Sequence, residues 1–263
     1  MRVELPTEFK IDYPKRNIKY YSTYGKPKLV KKIYDSCNGY CMYCGKLVNV
    51  EGDRNFHLEH SVDKDGNTHQ EMDPYGVLEH CKFNLAIACS KCNLICKKMV
   101  DKINLASFAP LSKCPSNCDD MCEKYSRIRA EYITKNAIIL QPKGIQQPVP
   151  HLIAYDLLKH IYVPMETDGN EAVMFTIQNH IDRFELNGER FSTSIIELCS
   201  KIVLWYERGI KDVEGLLDAL NAEKSFNVLG DRFTVFVQEY FSDRLVDELI
   251  DFCKLLIVLD AVP

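Results

Sequence analysis

The chain has 263 residues, of which 46% are hydrophobic and 27% charged, a composition typical of a globular protein with one large domain or two modest ones. No segment approaches eighteen uninterrupted apolar residues, and the start MRVELPTEFKIDYPKR has no apolar signal-peptide core, so we expect a cytoplasmic protein without membrane attachment. In that compartment the twelve cysteines are expected to be thiols or metal ligands rather than disulfides.

The formal net charge of −4 is distributed unevenly along the chain. Residues 1–50 contain ten Lys or Arg and four Asp or Glu, whereas residues 201–263 contain seven and twelve. A basic N-terminal part favours a partner that carries phosphate groups, although an ordinary solvated surface explains such a run equally well. The overall negative charge argues against strong binding of nucleic acid by the chain alone.

The first predicted element is a helix in KPKLVKKIYDSCNGYC. Pro27 suits its first turn, apolar residues recur at i, i+3, i+4 and i+7 along one face, and Gly39 can end it. Residues 46–60 then predict a hairpin interrupted at EGDRN, and residues 61–80 predict a polar loop. The stretch CSKCNLICKKMVDKINLA predicts a short helix, and the cysteine-rich residues 110–122 are expected to be irregular.

A change in pattern divides the second half from the first. PKGIQQPVPH, residues 142–151, predicts a linker, which places a domain boundary near residue 145. HLIAYDLLKHIYVPM, which follows, is compatible with short paired strands, and from about residue 170 the pattern turns helical. We therefore expect an α+β chain, with one domain at residues 1–145 and a mainly helical region at residues 146–263.

Two CxxC pairs, Cys41 with Cys44 and Cys89 with Cys92, carry the strongest chemical signal. Four thiolates in two such pairs are the ligands of a tetrahedral structural zinc site. The 44 residues between the pairs exceed the spacing of a simple zinc ribbon, so we expect this insert to have a folded structure of its own. The alternative is four buried cysteines that bind no metal.

Within that insert, FHLEHSVDK places Glu59 beside His60. A carboxylate is a hard oxygen ligand for Mg²⁺ or a similar ion, and an imidazole titrates near neutrality and can take a proton from water. A surface histidine is the commoner case when the two residues are considered alone. Their position between the two CxxC pairs favours metal-assisted hydrolysis.

The stretches CMYCGK, FHLEH and FNLAIACSKCN together resemble the HNH endonucleases, in the four-cysteine, zinc-stapled form of the ββα-metal fold, over residues 37–98. The resemblance implies hydrolysis of DNA phosphodiester bonds, with His60 as the general base and Asn84 holding the loop behind it. It also implies that Glu59 and Asn93 bind one catalytic Mg²⁺ or Mn²⁺, which polarises the scissile phosphate. The family more often has aspartate where Glu59 stands.

The same resemblance implies basic contacts to the DNA substrate. Lys64, four residues after His60, matches a lysine found in one branch of the family. The family often has a lysine three residues after the helical asparagine, but Cys96 stands there in this chain. The contact to the phosphate therefore falls to Lys97 or Lys98.

A weaker likeness extends beyond the HNH motif. AIILQPKG and TIQNHIDRFELNGERF resemble an ILxP-like strand and a helical TI…LN…R stretch in the small HNH subunits of Septu and retron-type anti-phage defence systems. This likeness implies a partner ATPase and a role in antiviral defence. The acidic helical region, which is rich in large apolar residues, is then expected to dock the nuclease on that partner.

Two other functions are compatible with the residues. A zinc-dependent module without catalysis could dock nucleic acid or protein, although it would not need the Glu59–His60 pair or Asn84. A stand-alone restriction-type nuclease would need a base-reading domain, and the acidic helical region does not look like one.

Cysteines and histidines outside the motif are expected to be mainly structural. Cys114, Cys118 and Cys122 could form a second metal site with a fourth cysteine, but packing thiols are the favoured interpretation. His180 is expected to be an ordinary surface or core residue. His57, three residues before the predicted base, would point to the opposite face of a strand.

Overall fold

The computed structural model describes the chain in a series of ranges separated by gaps. These are residues 1–13, 25–50, 53–63, 73, 75–97, 101, 108, 110, 120–145, 152–165, 170–223 and 225–261. The predicted functional residues Lys64, Lys98, Cys114 and Cys118 lie outside the described residues.

The described ranges contain short strands, mostly in the first part of the chain, and helices that follow one another without strands after residue 170. The strands are β1 (Arg2–Leu5), β2 (Asn49–Val50), β3 (Asp53–Arg54), β4 (His57–His60), β5 (Leu85–Ala88), β6 (Ile153–Asp156) and β7 (Ile161–Pro164). The helices are α1 (Gly25–Ser36), α2 (Val77–His80), α3 (Glu123–Asn136), α4 (Glu171–Arg183), α5 (Glu189–Glu207), α6 (Val213–Ala222), α7 (Val228–Phe241) and α8 (Val246–Asp260). A 3₁₀ turn, Lys82–Asn84, precedes β5, and a π-helical segment, Cys92–Cys96, follows it. The predicted mixed α+β class is confirmed.

The strands form small antiparallel sheets. A three-stranded sheet has the order β1-β6-β7, with Val3 opposite Tyr155 and Tyr155 opposite Tyr162. The pair β4–β5 places His60 opposite Leu85, so the end of one strand and the start of the other lie side by side. A short pair, β2–β3, precedes it.

Most predicted elements lie where the pattern placed them, with three differences, of which the first is that α2, Val77–His80, lies within the predicted polar loop of residues 61–80. The first helix, the strand pair β6–β7 and the helices after residue 170 are confirmed. The hairpin predicted over residues 46–60 is right only at its tip, where β2 pairs with β3. Its second half, β4, pairs instead with β5, at the other end of the insert. All four residues of β5 are buried, so their backbone groups need hydrogen-bond partners within the protein. The helix α3 was not predicted.

The C-terminal helices share an apolar core. Cys199 on α5 and Cys253 on α8 are completely buried there, and the neighbouring Cys253 thiol together with burial raises the pKa of the Cys199 thiol. None of the described helices is both long and apolar enough to cross a membrane.

Contacts run across the boundary that the sequence predicts near residue 145. The first strand, β1, pairs with β6, on the far side of that position. Leu47 N donates a hydrogen bond to Phe226 O (2.9 Å), and Val228 N donates one to Gly45 O (2.8 Å). The loop that carries the first CxxC pair is therefore backed by the start of α7, while the boundary itself stays a prediction.

Candidate metal centre and hydrolytic site

The first CxxC pair lies in a tight loop between α1 and β2. Cys41 N donates to Lys46 O (2.8 Å), and Gly45 N donates to Cys41 O (2.8 Å). Gly45 has a φ of +72°, and a Cβ atom there would lie 2.4 Å from Val228 Cγ1. Glycine is therefore required by both the backbone conformation and the packing of this loop, which buries both thiols.

The second CxxC pair directly follows the buried strand β5. Cys92 N approaches Cys89 Sγ (3.5 Å), and Asn93 N donates to Cys89 O (3.0 Å). These contacts start the helical turn that continues as the π-helical segment. Cys89 therefore lies at the end of the strand, and the helical turn brings the thiol of Cys92 next to that of Cys89.

The four sulfur atoms meet in one buried cluster, in which all of them lie within 4.8 Å of one another. Ligands about 2.3 Å from a tetrahedral zinc ion would be about 3.8 Å apart, and the sulfur atoms of Cys44 and Cys89 are 3.8 Å apart. Hydrogen bonds within the cluster shift the pKa values of its thiols, and the bond with Cys41 has the largest effect. The pKa of Cys89 is lowered and that of Cys44 is raised. The cluster could hold a structural metal ion, and its donor set fits zinc.

His60 ends β4 and is half-buried. Its Nε2 atom lies 3.1 Å from the backbone oxygen of Glu79, the residue before the last of α2. A carbonyl oxygen can only accept, so Nε2 carries the proton in the neutral ring and Nδ1 is the basic nitrogen. This hydrogen bond sets both the tautomer and the direction of the ring.

Asn84 is completely buried directly before β5 and ties together the backbone around His60. Its Oδ1 atom accepts from Val62 N (2.7 Å) and from the hydroxyl of Tyr125 (2.7 Å). Its Nδ2 atom donates to Val62 O (2.9 Å) and to Leu78 O (2.6 Å). The side chain therefore fixes the loop that leaves β4 two residues after His60, and it fixes α2 against that loop.

Glu59 lies on the opposite face of β4 from His60 and is only 3% exposed. The Tyr43 hydroxyl donates to its Oε2 atom (2.6 Å), and the Lys97 ammonium forms an ion pair with its Oε1 atom. Lys97 Nζ also donates to His60 O (2.7 Å) and Ser61 O (2.8 Å). Burial lowers the pKa of Lys97 from 10.5 to about 7, while the contact with Glu59 favours its charged form.

Glu59, one of the two residues predicted to bind a catalytic divalent ion, does not fit one in this arrangement. Both carboxylate oxygens of Glu59 already accept a hydrogen bond from a buried protein group. Asn93 is half-buried on the π-helical segment. Lys97, predicted to contact the substrate phosphate, is directed at Glu59 with a side chain only 5% exposed.

Three residues of this region were not predicted as functional. Tyr43 stands between the cysteines of the first CxxC pair, a position that suggested a turn and not a partner for Glu59. Tyr125 belongs to the unpredicted helix α3. His180 accepts from Ile139 N (3.2 Å) at Nδ1 and donates to Tyr43 O (3.1 Å) at Nε2, and burial lowers its pKa to about 4. It joins α4 to the first CxxC loop.

The comparisons with known proteins add no relative. Protein-family models, curated proteins and solved structures give no match to this chain. The resemblance to HNH endonucleases therefore depends on the motif residues.

Proposed function

We propose that this chain is an HNH-type endonuclease that hydrolyses phosphodiester bonds in DNA. The observation that supports this best is the setting of His60. Its ring is oriented by Glu79 O, and the loop after it is fixed by the Asn84 side chain. The same strand pair leads into the four-cysteine cluster, as in the ββα-metal arrangement that the motif resembles.

The four cysteines have a structural part in this proposal. Zinc is the metal that a set of four thiolates favours, and it would supply cross-linking of the CxxC loop to the helical turn after β5. Because a preformed metal site rarely exists in an unfolded chain, metal binding would contribute to the folding free energy of this part of the protein.

His60 acts as the general base in this proposal. With Nε2 protonated and held by Glu79 O, Nδ1 takes the proton from the attacking water. Asn84 keeps the backbone on both sides of the site in place, so the ring does not have to be repositioned when substrate binds.

Cleavage of plasmid DNA by purified protein with Mg²⁺ or Mn²⁺ tests the proposal. His60→Ala should lower the rate by about 10²- to 10⁴-fold, the usual contribution of a general base, with zinc content and melting temperature near wild type. His57→Ala is the matched control, because His57 lies on the same strand, faces the other side and contacts Ser90 (3.1 Å). If His60→Ala cuts at the wild-type rate, the assignment of the base is wrong.

A second candidate is a zinc-dependent binding module without catalysis. It is favoured by the buried ion pair of Glu59 and Lys97, in which the lysine ammonium occupies the carboxylate that was predicted to bind a catalytic ion. The plasmid assay separates the two functions, because such a module would bind DNA or protein and leave every plasmid intact.

We further propose that the chain works in an anti-phage defence complex and docks on an ATPase through its acidic helical region. Leu255 and Val258 on α8, and Leu245 just before it, are exposed apolar side chains within this region. The test is co-purification with an ATPase encoded by a neighbouring gene. Leu255→Asp with Val258→Asp should abolish it, whereas Phe175→Asp, at an exposed position on α4, should not.

A further inference from the structure

The ammonium of Lys97 is surrounded by three oxygen acceptors. They are the Oε1 atom of Glu59 and the backbone oxygens of His60 (2.7 Å) and Ser61 (2.8 Å). A lysine ammonium has three N–H donors, so this set satisfies it completely. The second oxygen of Glu59 accepts a hydrogen bond from the Tyr43 hydroxyl. Each oxygen of the carboxylate therefore has a protein partner.

This set of acceptors is also what a hard divalent cation takes in proteins. Mg²⁺ and Mn²⁺ bind carboxylate and carbonyl oxygens, and a carboxylate next to a backbone carbonyl is a common start of such a site. The ammonium therefore stands where a divalent ion bound to Glu59 would have to enter. Two cations cannot occupy this buried place together, because their charges repel each other.

We propose that Lys97 is the resident cation of Glu59 and that, while it is in place, the chain excludes divalent metal from this carboxylate. The burial of both side chains supports this role, since the Lys97 side chain is 5% and that of Glu59 2% exposed. A lysine that only approached the carboxylate from the surface would leave one side open to an ion and its water. This exclusion is a property of the folded chain and holds whether or not the protein cleaves DNA.

The test is Mn²⁺ binding to the zinc-loaded full-length chain, measured by the paramagnetic resonance of free Mn²⁺. The wild type and Glu59→Gln should bind Mn²⁺ alike, because any surface sites are common to both. Lys97→Met, which keeps the apolar stem and removes the charge, should gain a site at least about tenfold tighter than any in the wild type, equivalent to about 1.4 kcal/mol. The gain should disappear in Lys97→Met with Glu59→Gln.

Lys91→Met is the matched control, since Lys91 starts the same helical turn but pairs with Glu185 on the surface. It should bind Mn²⁺ like the wild type. A wild-type site that Glu59→Gln abolishes would overturn the proposal, and this comparison does not require the Lys97 variant to fold. A folded, zinc-containing Lys97→Met without the new site would overturn it as well. Neither result depends on cleavage of DNA, so the proposed nuclease can fail while the exclusion of metal stands.

Discussion

Replacing Asn84 by alanine should destabilise the chain by about 3–5 kcal/mol. The side chain makes four hydrogen bonds, to Val62 N, Val62 O, Leu78 O and the Tyr125 hydroxyl. A buried hydrogen bond contributes about 1 kcal/mol net, and a partner left unsatisfied costs about 1–3 kcal/mol. Because domains of this size are stable by only about 5–15 kcal/mol, the loss is a large share of the total.

Urea unfolding in the presence of zinc is the assay, with the midpoint and slope fitted for each variant. Tyr125→Phe removes a single partner of the Asn84 amide and should cost about 1 kcal/mol. Asn55→Ala is the control for an exposed asparagine and should change stability by less than about 0.5 kcal/mol. A loss below about 1 kcal/mol for Asn84→Ala would refute the view that this side chain holds the loop after His60.

Two further predictions concern the metal and the pH dependence. Each folded chain should contain one zinc ion by elemental analysis, and Cys89→Ala should lose it and become poorly soluble; active, folded protein without zinc would contradict this. The low pKa of His180, about 4 against 6.5 normally, means that between these values the unfolded chain binds a proton that the folded chain does not. Stability should therefore fall by up to about 3 kcal/mol as the pH drops through this window. His180→Gln should flatten that slope in urea unfolding, with zinc content checked at each pH, and parallel slopes would show that His180 does not titrate as described.

The cysteine cluster could be predicted because its geometry is set locally. A CxxC pair places two thiols on one turn, and the chemistry of a metal site then demands that two such pairs meet. The position of Asn84 behind His60 was implied by the resemblance and not by local geometry. The register that places His60 opposite Leu85 brings the residue before Leu85 next to the end of β4.

The pairing of Lys97 with Glu59 could not be predicted in the same way. Lysine is rarely buried, and the resemblance assigned the lysine at this place, Lys97 or Lys98, to the substrate phosphate. The turn, however, is a π-helix over Cys92–Cys96. A π-helix has i→i+5 hydrogen bonds in place of i→i+4, so the side chain of Lys97 does not point where a regular α-helix would direct it.

Longer-range pairings were also beyond the sequence pattern. Residues 46–60 alternate as a hairpin would, but β4 takes its partner from the other end of the insert, where the completely buried β5 excludes water from both faces. Such choices depend on tertiary burial and not on strand propensity. The helix α3 was missed because its buried residues include Arg129 and Asn136, which weaken its apolar stripe.

The pairing of β1 with β6 has a consequence for the order in which this protein forms during synthesis. Residues 2–5 leave the ribosome before their partners at residues 153–156, which follow about 150 residues later, a delay of roughly 8–30 s at ordinary translation rates. Throughout that interval the backbone groups of the first strand lack their partners in β6, and such unpaired groups can pair with another chain. A contact of such long range slows folding, so the sheet should close only after most of the chain has been made. Any nascent or truncated chain that ends before residue 153 would therefore lack the strand that β1 needs.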